Sequence, residues 1–108
     1  MHLSDLIHRA MELRARLSAK ETQQAGRPWT REEVAQGFVG DVGDLMKLVM
    51  VKQGLRATKD GVDEQLAHEL SDCLWSVLVL AELYHIDLEA AFLRTTSEIE
   101  AQLPRQSG

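Results

Sequence analysis

The sequence predicts an all-α protein, and three observations lead to this fold class. Apolar residues recur every three or four positions over long stretches, which is the period of a helix buried along one face. The strict alternation of apolar and polar residues that marks a half-buried strand does not occur along the 108 residues. Turn-forming and helix-capping residues fall between the periodic stretches and divide them into four helices, among them Gly26, Pro28, Gly54 and Gly61.

The first helix is predicted from Leu3 to about Thr22, where apolar residues recur at helical spacing and charged residues occupy the other face. One buried stripe is therefore expected on this helix. The segment from Gln23 to Pro28 also contains Gly26, and it is predicted to form a loop because both residue types interrupt helices.

The second helix has a clear start signal. Thr30 and Glu33 have the spacing of a capping box, in which each side chain satisfies a backbone N–H of the other residue. The buried stripe is predicted to consist of Val34, Phe38, Val42, Leu45 and Val49. Three glycines follow at three-residue intervals, although each costs roughly 1 kcal/mol relative to alanine inside a helix. Gly37, Gly40 and Gly43 therefore predict either a closely packed neighbour, which we favour, or space kept for nearby carboxylates.

The third helix is predicted to begin near Asp60 or Asp63, since either side chain is suited to a cap. One stripe of this helix is predicted to contain Glu69, Asp72, Ser76, Val79 and Leu83. Beyond Asp72 the helix is apolar on nearly all sides, from Cys73 to Ala81. A helix of this kind has to be covered on all sides, and three partner helices in a chain of this size are too few. We therefore expect a homodimer or homotetramer that completes the core.

Asp87 is predicted to cap the fourth helix, and Pro104 to end it. The inner stripe of this helix is expected to contain Leu88, Ala91, Phe92, Thr95, Ile99 and Leu103. The chain is interpreted as one helical domain over residues 1–103, followed by a disordered tail over residues 104–108. The predicted architecture is an all-α, four-helix bundle whose core is completed by homo-oligomerisation.

Composition narrows the classes of partner and the compartment. Twelve basic and seventeen acidic residues give a net charge of −5, which argues against nucleic acid or an anionic membrane as the partner. The single cysteine, Cys73, lies in the most apolar stretch and can form no internal disulfide, which fits a reducing compartment. No apolar run has the length of a membrane span, and the N-terminal residues lack a signal-peptide pattern. We therefore expect a cytoplasmic protein.

Two acidic pairs of equal spacing, Asp41-x-x-Asp44 and Glu69-x-x-Asp72, lie on the second and third helices. Residues three apart share one face of a helix, and the polar loop between these helices predicts a hairpin that brings the pairs face to face. Four carboxylates around one small volume repel one another unless cations lie between them. The pattern predicts a divalent metal site, with solvated acids on helix surfaces as the alternative. His68 is interpreted as a surface residue rather than a ligand.

The stretch over residues 29–103 resembles the MazG-type all-α nucleoside triphosphate pyrophosphohydrolases. That family carries E-x-x-E, a spacer and then E-x-x-D, with a W-T-x-E-like segment before the first of these helices. The first half is matched by PWTREEVAQGFVGDVGDLMKLV, in which Asp41 and Asp44 stand in the two glutamate places. The second half is matched by HELSDCLWSVLVLAELYHIDLEAAFLR, in which Glu69 and Asp72 keep the residue types of the family.

The resemblance implies hydrolysis of a nucleoside or deoxynucleoside triphosphate to the monophosphate and pyrophosphate, of the house-cleaning type, with Mg²⁺ or Mn²⁺ as the cofactor. It implies metal-binding and catalytic roles for Asp41, Asp44, Glu69 and Asp72. Candidate substrate contacts are Lys47, Lys52, Trp29 and Ser76. Metal ions held by carboxylates can bind phosphates and lower the pKa of a bound water, so no nucleophilic side chain is required.

Three departures from the family pattern bear on activity. Aspartate in the first motif is one methylene shorter than glutamate, and a misplacement of about 1 Å can cost about 100-fold in rate. Thr95 and Ile99 stand where many relatives have Lys and Asn, and Ser76 stands where some have an aromatic residue. Two alternatives to an active enzyme therefore stay open. One is a MazG-like module that binds metal or nucleotide without efficient turnover, and the other is a structural helical oligomer with solvated acids.

Overall fold

The computed structural model describes residues 2–54 and 61–104. These ranges form four α-helices, numbered α1 (Leu3–Ala25), α2 (Arg31–Lys52), α3 (Val62–Leu83) and α4 (Leu88–Ala101). The predicted all-α class is confirmed, and the described ranges contain no strand. None of the helices in them is both long enough and apolar enough to cross a bilayer. The predicted cap Asp60 and residues 105–108 of the predicted tail lie outside the described part of the chain.

α1 is longer than predicted, because a glycine rather than the polar residues before it ends the helix. The helix runs to Ala25, and Gly26 adopts a left-handed φ of 81° as the C-cap. The N–H of Gly26 donates to the carbonyl of Thr22, and the Thr22 hydroxyl donates to the carbonyl of Ser18. The loop predicted from Gln23 onwards is accordingly shorter, since its first residues still belong to the helix.

The start of α2 confirms the predicted capping box. The Thr30 hydroxyl accepts a hydrogen bond from the N–H of Glu33, whose carboxylate accepts one from the N–H of Thr30. Two charged side chains of α1 hold the residue just before this cap. The Trp29 N–H donates to Glu21 Oε1, and Arg14 Nη2 donates to the Trp29 carbonyl, both at 2.7 Å. α1 therefore fixes the direction in which the chain begins α2.

The start of α3 differs from the prediction. Gly61, with a left-handed φ of 73°, is the N-cap and offers no side chain, so Asp63 is not the cap. Asp63 lies in the first helical turn instead, where the helix dipole favours a carboxylate. Its Oδ1 is 2.6 Å from Lys52 Nζ at the end of α2. This ion pair joins the two helices near the turn of the hairpin.

The hairpin of α2 and α3 forms the body of the fold, and α1 also packs on α3. The centre of the core is small and consists of Ala10, Val34, Leu78 and Val79. The stripe predicted on α3 is confirmed, because all of its members are buried or half-buried: Glu69, Asp72, Ser76, Val79 and Leu83. Carboxylates and core residues therefore share the face of α3 that the other helices cover.

The buried stripe of α2 is rotated relative to the prediction. It includes Val34, Phe38, Asp41, Leu45 and Leu48, whereas Val42 and Val49 are exposed. Asp41 therefore lies inside the stripe that faces α3. Apolar residues occupy more than one side of α2, so their spacing does not fix which side packs on α3. The observed rotation places Asp41 beside the carboxylates of α3.

α4 begins at the predicted cap, but beyond its first turn it packs little against the rest of the molecule. Asp87 Oδ1 accepts a hydrogen bond from the N–H of Ala90, and Leu88 packs against the core. The predicted inner stripe is wrong for the single chain, since Phe92 is 63% exposed and Ile99 is 55% exposed. The radius of gyration is 17.6 Å, against about 13 Å for a compact domain of this length. One chain is therefore too extended to bury its own apolar surface.

The close packing predicted at the glycines of α2 is wrong within the described chain. A Cβ added to Gly40 or Gly43 would meet no described atom within 4 Å, and one added to Gly37 would meet Trp29 Cζ3 at 3.8 Å, an ordinary contact. Met46, which neighbours Gly43 on the helix surface, is itself 57% exposed. This side of α2 is therefore open in the single chain.

Candidate metal centre

Three carboxylates meet between the middle of α2 and the first half of α3. Asp41 reaches the site from the buried stripe of α2, and Glu69 and Asp72 reach it from the matching stripe of α3. One oxygen from each of the three lies within 4.8 Å of the other two. All three side chains are half-buried, so the hairpin shields this carboxylate cluster without closing it off from solvent.

The cluster makes its own carboxylates harder to ionise. Burial, followed by the negative charges of Asp72 and Asp44, raises the pKa of Asp41 above its usual value. Burial also raises the pKa of Glu69, and the charges of the neighbouring acids add to the effect. A protonated His68 acts in the opposite direction on the pKa of both groups. Shifts of this kind are expected where carboxylates converge with too little positive charge.

The field of the cluster extends to Cys73, the residue after Asp72 on α3. Burial, followed by the charges of the three carboxylates, raises the pKa of this thiol. A thiol that keeps its proton is a poor nucleophile and a poor metal ligand. The donors of the site are therefore carboxylate oxygens, which hard cations such as Mg²⁺ and Mn²⁺ prefer.

One oxygen of the cluster is removed from water without gaining a partner. Glu69 Oε2 is buried and has no hydrogen-bond partner among the described residues. A buried carboxylate oxygen carries a desolvation cost unless a donor or a cation satisfies it. Carboxylate oxygens are the ligands that Mg²⁺ prefers, and one oxygen from each of the three residues lies within 4.8 Å of the other two. The residues present therefore fit a divalent cation between Asp41, Glu69 and Asp72.

Asp44 does not join the other three predicted ligands. It is exposed and lies outside the group of converging oxygens. Three residues correspond to about 300° around a helix, so Asp44 points roughly 60° away from Asp41. Its charge still reaches the site, because it contributes to the raised pKa of Asp41 and of Glu69. The two acidic pairs are therefore unequal, since only one member of the first pair reaches the cluster.

A residue interpreted from the sequence as a surface histidine borders the site. The His68 side chain is 72% exposed, as expected, but its Nε2 lies 3.1 Å from Asp72 Oδ2. The i,i+4 spacing of these two residues is the sequence signal for the contact. Comparing His68 only with its neighbour Glu69 does not reveal this contact, because adjacent residues point about 100° apart on a helix.

Of the predicted substrate contacts, one is in an ion pair and another is buried. Lys52 is ion-paired with Asp63, and it lies eleven positions after Asp41, which corresponds to about 16 Å along a helix. Ser76 is only 3% exposed. The structure therefore does not present Lys52 or Ser76 to a ligand bound at the carboxylates.

The other two predicted substrate contacts are accessible. Lys47 is exposed on α2. Trp29 is 46% exposed and, together with Gln36 and Gly37, lines a hollow of about 350 Å³ at the start of α2. Gly37 and Asp41 are i,i+4 neighbours on one side of the helix. The hollow therefore lies about one helical turn from the carboxylates.

The chain matches the model of the MazG nucleotide pyrophosphohydrolase domain over residues 21–105. The matched range contains α2, α3 and α4 together with all three carboxylates of the cluster, and it leaves out most of α1. Comparison with curated proteins and with solved structures gives no match. Because the family model covers about four fifths of its length, the chain belongs to the MazG nucleotide pyrophosphohydrolase family.

Proposed function

We propose that the protein is a metal-dependent nucleoside triphosphate pyrophosphohydrolase, which converts an NTP or dNTP and water to the monophosphate and pyrophosphate. The observation that carries the proposal is the buried oxygen of Glu69, which has no hydrogen-bond partner in the described part of the chain, within a group of three carboxylates. Membership of the MazG family supports the reaction class. A divalent cation would satisfy Glu69 and would also bind the phosphates that bare carboxylates repel.

Asp41, Glu69 and Asp72 are proposed to hold Mg²⁺, or Mn²⁺ with the same preference for oxygen. The bound ion supplies charge neutralisation for the phosphates and makes a nearby water more acidic. Asp44 is proposed to accept the proton of the attacking water, because it lies beside the ligands but outside their group. In the hydrolysis the water oxygen bonds to the α-phosphorus, and the bond from that phosphorus to the oxygen bridging the α- and β-phosphates breaks. Pyrophosphate leaves with the electron pair of that bond.

Lys47 and Trp29 are the proposed substrate contacts. Lys47 offers an exposed ammonium group to phosphate oxygens. The Trp29 ring offers a planar apolar surface to a nucleobase, about one turn along α2 from the carboxylates. A contact with Lys52 would require its ion pair to open, and a contact with Ser76 would require the hairpin to open. The proposal therefore relies on Lys47 and Trp29.

Pyrophosphate release from a panel of NTPs and dNTPs, with Mg²⁺, Mn²⁺ or EDTA, tests the proposed reaction. We expect release that requires the divalent ion, yields the monophosphate in equal amount and is lost in Glu69→Gln. This substitution keeps the size of the side chain, so circular dichroism is expected to show an unchanged helical fold. Release that persists in EDTA, or in the Glu69 variant, would place the chemistry elsewhere.

A separate observation favours a second function, that of a binding module. Asp44 lies outside the cluster, so the site has three converging carboxylates where four were predicted. A site with fewer ligands can bind a metal–nucleotide complex without aligning it for efficient turnover. Isothermal titration with a non-hydrolysable triphosphate analogue in Mg²⁺ distinguishes the two functions. Binding of the analogue without pyrophosphate release from any NTP or dNTP would identify the binding module.

The protein is further proposed to act as a homodimer or homotetramer. The single chain is elongated and exposes Val39 on α2 and Phe92 on α4 over more than half of their surface. Exposed apolar surface on several helices is typical of an interface. Light scattering after size exclusion is expected to give at least twice the chain mass of 12.1 kDa. A monomer at micromolar concentration contradicts this proposal.

A further inference from the structure

The carboxylates of the cluster are not held equally. His68 Nε2 lies 3.1 Å from Asp72 Oδ2, one helical turn away on α3. Glu69, the residue next to His68, has its Oε2 buried without a partner among the described residues. The imidazole of His68 therefore contacts Asp72, whereas Glu69 Oε2 requires a partner from outside the described residues.

The contact occupies one oxygen of Asp72 and leaves the second for a ligand. A carboxylate offers two oxygens with about four lone-pair sites, and the contact with His68 is made by Oδ2. The histidine is the more exposed partner, at 72% against 40% for Asp72. Groups that hold a metal-binding carboxylate from outside fix its orientation and raise its affinity for the metal.

We propose that His68 is a positioning residue of the metal site, which holds Asp72 Oδ2 and thereby aims Oδ1 at a divalent cation shared with Asp41 and Glu69. This inference rests on the metal-dependent function proposed above. His68 is not itself one of the converging ligand atoms, which argues against a direct role as a ligand. A role in stability alone is also weak, because exposed ion pairs contribute little to folding.

The chain provides a matched control on α1. His8 Nε2 lies 3.5 Å from Glu12 Oε1 with the same i,i+4 spacing, and the two side chains are 79% and 53% exposed. Neither residue belongs to the group of converging ligand atoms in the described part of the chain. His8→Ala therefore measures the loss of an exposed histidine–carboxylate pair that has no metal site beside it.

Calorimetric titration of the protein with Mn²⁺, in the absence of nucleotide, tests the inference. We expect His68→Ala to weaken Mn²⁺ binding by about 10- to 100-fold and His8→Ala to leave it unchanged. His68→Gln is expected to recover most of the affinity, because its side-chain amide can place an N–H near the position of Nε2. The readout is metal affinity and does not depend on turnover.

The outcomes separate the positioning role from the metal site itself. If the wild-type protein binds no Mn²⁺, the proposed function and the inference both fail. If the wild type binds Mn²⁺ and His68→Ala binds it equally well, the metal site stands and the positioning role is wrong. Equal weakening in His68→Gln and His68→Ala also overturns the positioning role, because a retained N–H donor would then be without effect.

Discussion

Two acidic residues on α2, eight positions apart, have opposite electrostatic surroundings. Glu33, at the start of the helix, contacts Arg27 and accepts a hydrogen bond from Thr30, and these partners lower its pKa to about 2. Asp41, in the middle of the helix, faces the acids of α3, and burial together with negative charge raises its pKa. The first carboxylate stabilises the fold, whereas the second destabilises it when no cation is bound.

The difference separates a structural acid from candidate functional acids on the same helix. Capping and the helix dipole explain Glu33. The converging acids gain no such stabilising contact on folding, since Glu69 Oε2 is buried without a partner among the residues that the structure describes. Carboxylates with perturbed pKa values in a partly buried site are characteristic of functional sites. We therefore treat the surroundings of Glu33 as structural and those of Asp41 as functional, and the predictions below test this division.

Removal of one acid from each region gives the largest predicted difference. Glu69→Ala is expected to lower the rate of pyrophosphate release by about 100-fold or more, because phosphate charge is left without its metal counter-ion. Glu33→Gln is expected to lower the rate far less, because Glu33 lies outside the carboxylate cluster and only lines the hollow beside Trp29. Steady-state release in saturating Mg²⁺ measures both rates. Unchanged turnover in Glu69→Ala would show that the converging acids are not functional.

The same division predicts how the metal changes thermal stability. An ion that binds only the folded state at 100 times its Kd stabilises it by about 2.7 kcal/mol, which raises the Tm of a domain this small by roughly 10 °C or more. The shift is expected in the wild type and in Glu33→Gln, and it is expected to be lost in Asp72→Asn. Thermal melts in Mg²⁺ and in NaCl of matched ionic strength measure it. Equal shifts in both salts would mean that the cluster is not a metal site.

In the metal-free protein, lowering the pH is expected to change the stability contributed by Glu33 and by Asp41 in opposite directions. The folded pKa of Glu33 is lowered from 4.5, so its stabilising contribution is present above pH 4.5 and is lost as the pH falls toward about 2. The folded pKa of Asp41 is raised from 3.8, so its cost is present above the raised pKa. That cost is relieved as the pH falls through the raised pKa.

Melts in EDTA between pH 7 and pH 3 check this opposition. Glu33→Gln is expected to melt below the wild type at pH 7, by a difference that shrinks once the pH falls below 4.5. Asp41→Asn is expected to melt above the wild type at pH 7, by a difference that shrinks as the pH falls toward 3.8. A pH-independent difference for Asp41→Asn would show that its charge carries no cost in the fold.

The smallest thermal effect is predicted for Asp44, the exposed member of the first acidic pair. Because Asp44 lies outside the converging oxygens, Asp44→Asn is expected to keep the Mg²⁺-dependent rise in Tm to within about 2 °C. Loss of a proton acceptor is expected to lower pyrophosphate release by about 100-fold in the same variant. A loss of the thermal shift as large as that of Asp72→Asn would make Asp44 a metal ligand.

Most helix ends were predictable because they depend on local interactions. The caps at Thr30 and Asp87 follow from residue types and spacing within one turn. The two misplaced ends involve Gly26, which ends α1 after Ala25 rather than near Thr22, and Gly61, which replaces Asp63 as the cap of α3. Both glycines have left-handed φ, and the path of the chain beyond the helix decides where that conformation is needed.

The residue types of the site and their placement on two neighbouring helices follow from the sequence, as does the stripe of α3 that carries Glu69 and Asp72. Which carboxylates meet depends on how the helices pack. Apolar residues occupy more than one side of α2, so spacing alone does not set the rotation of that helix against α3. The observed rotation turns Asp41 toward α3 and leaves Asp44 aside. The distance between carboxylates on different helices depends on this rotation, which is a property of packing and not of either helix alone.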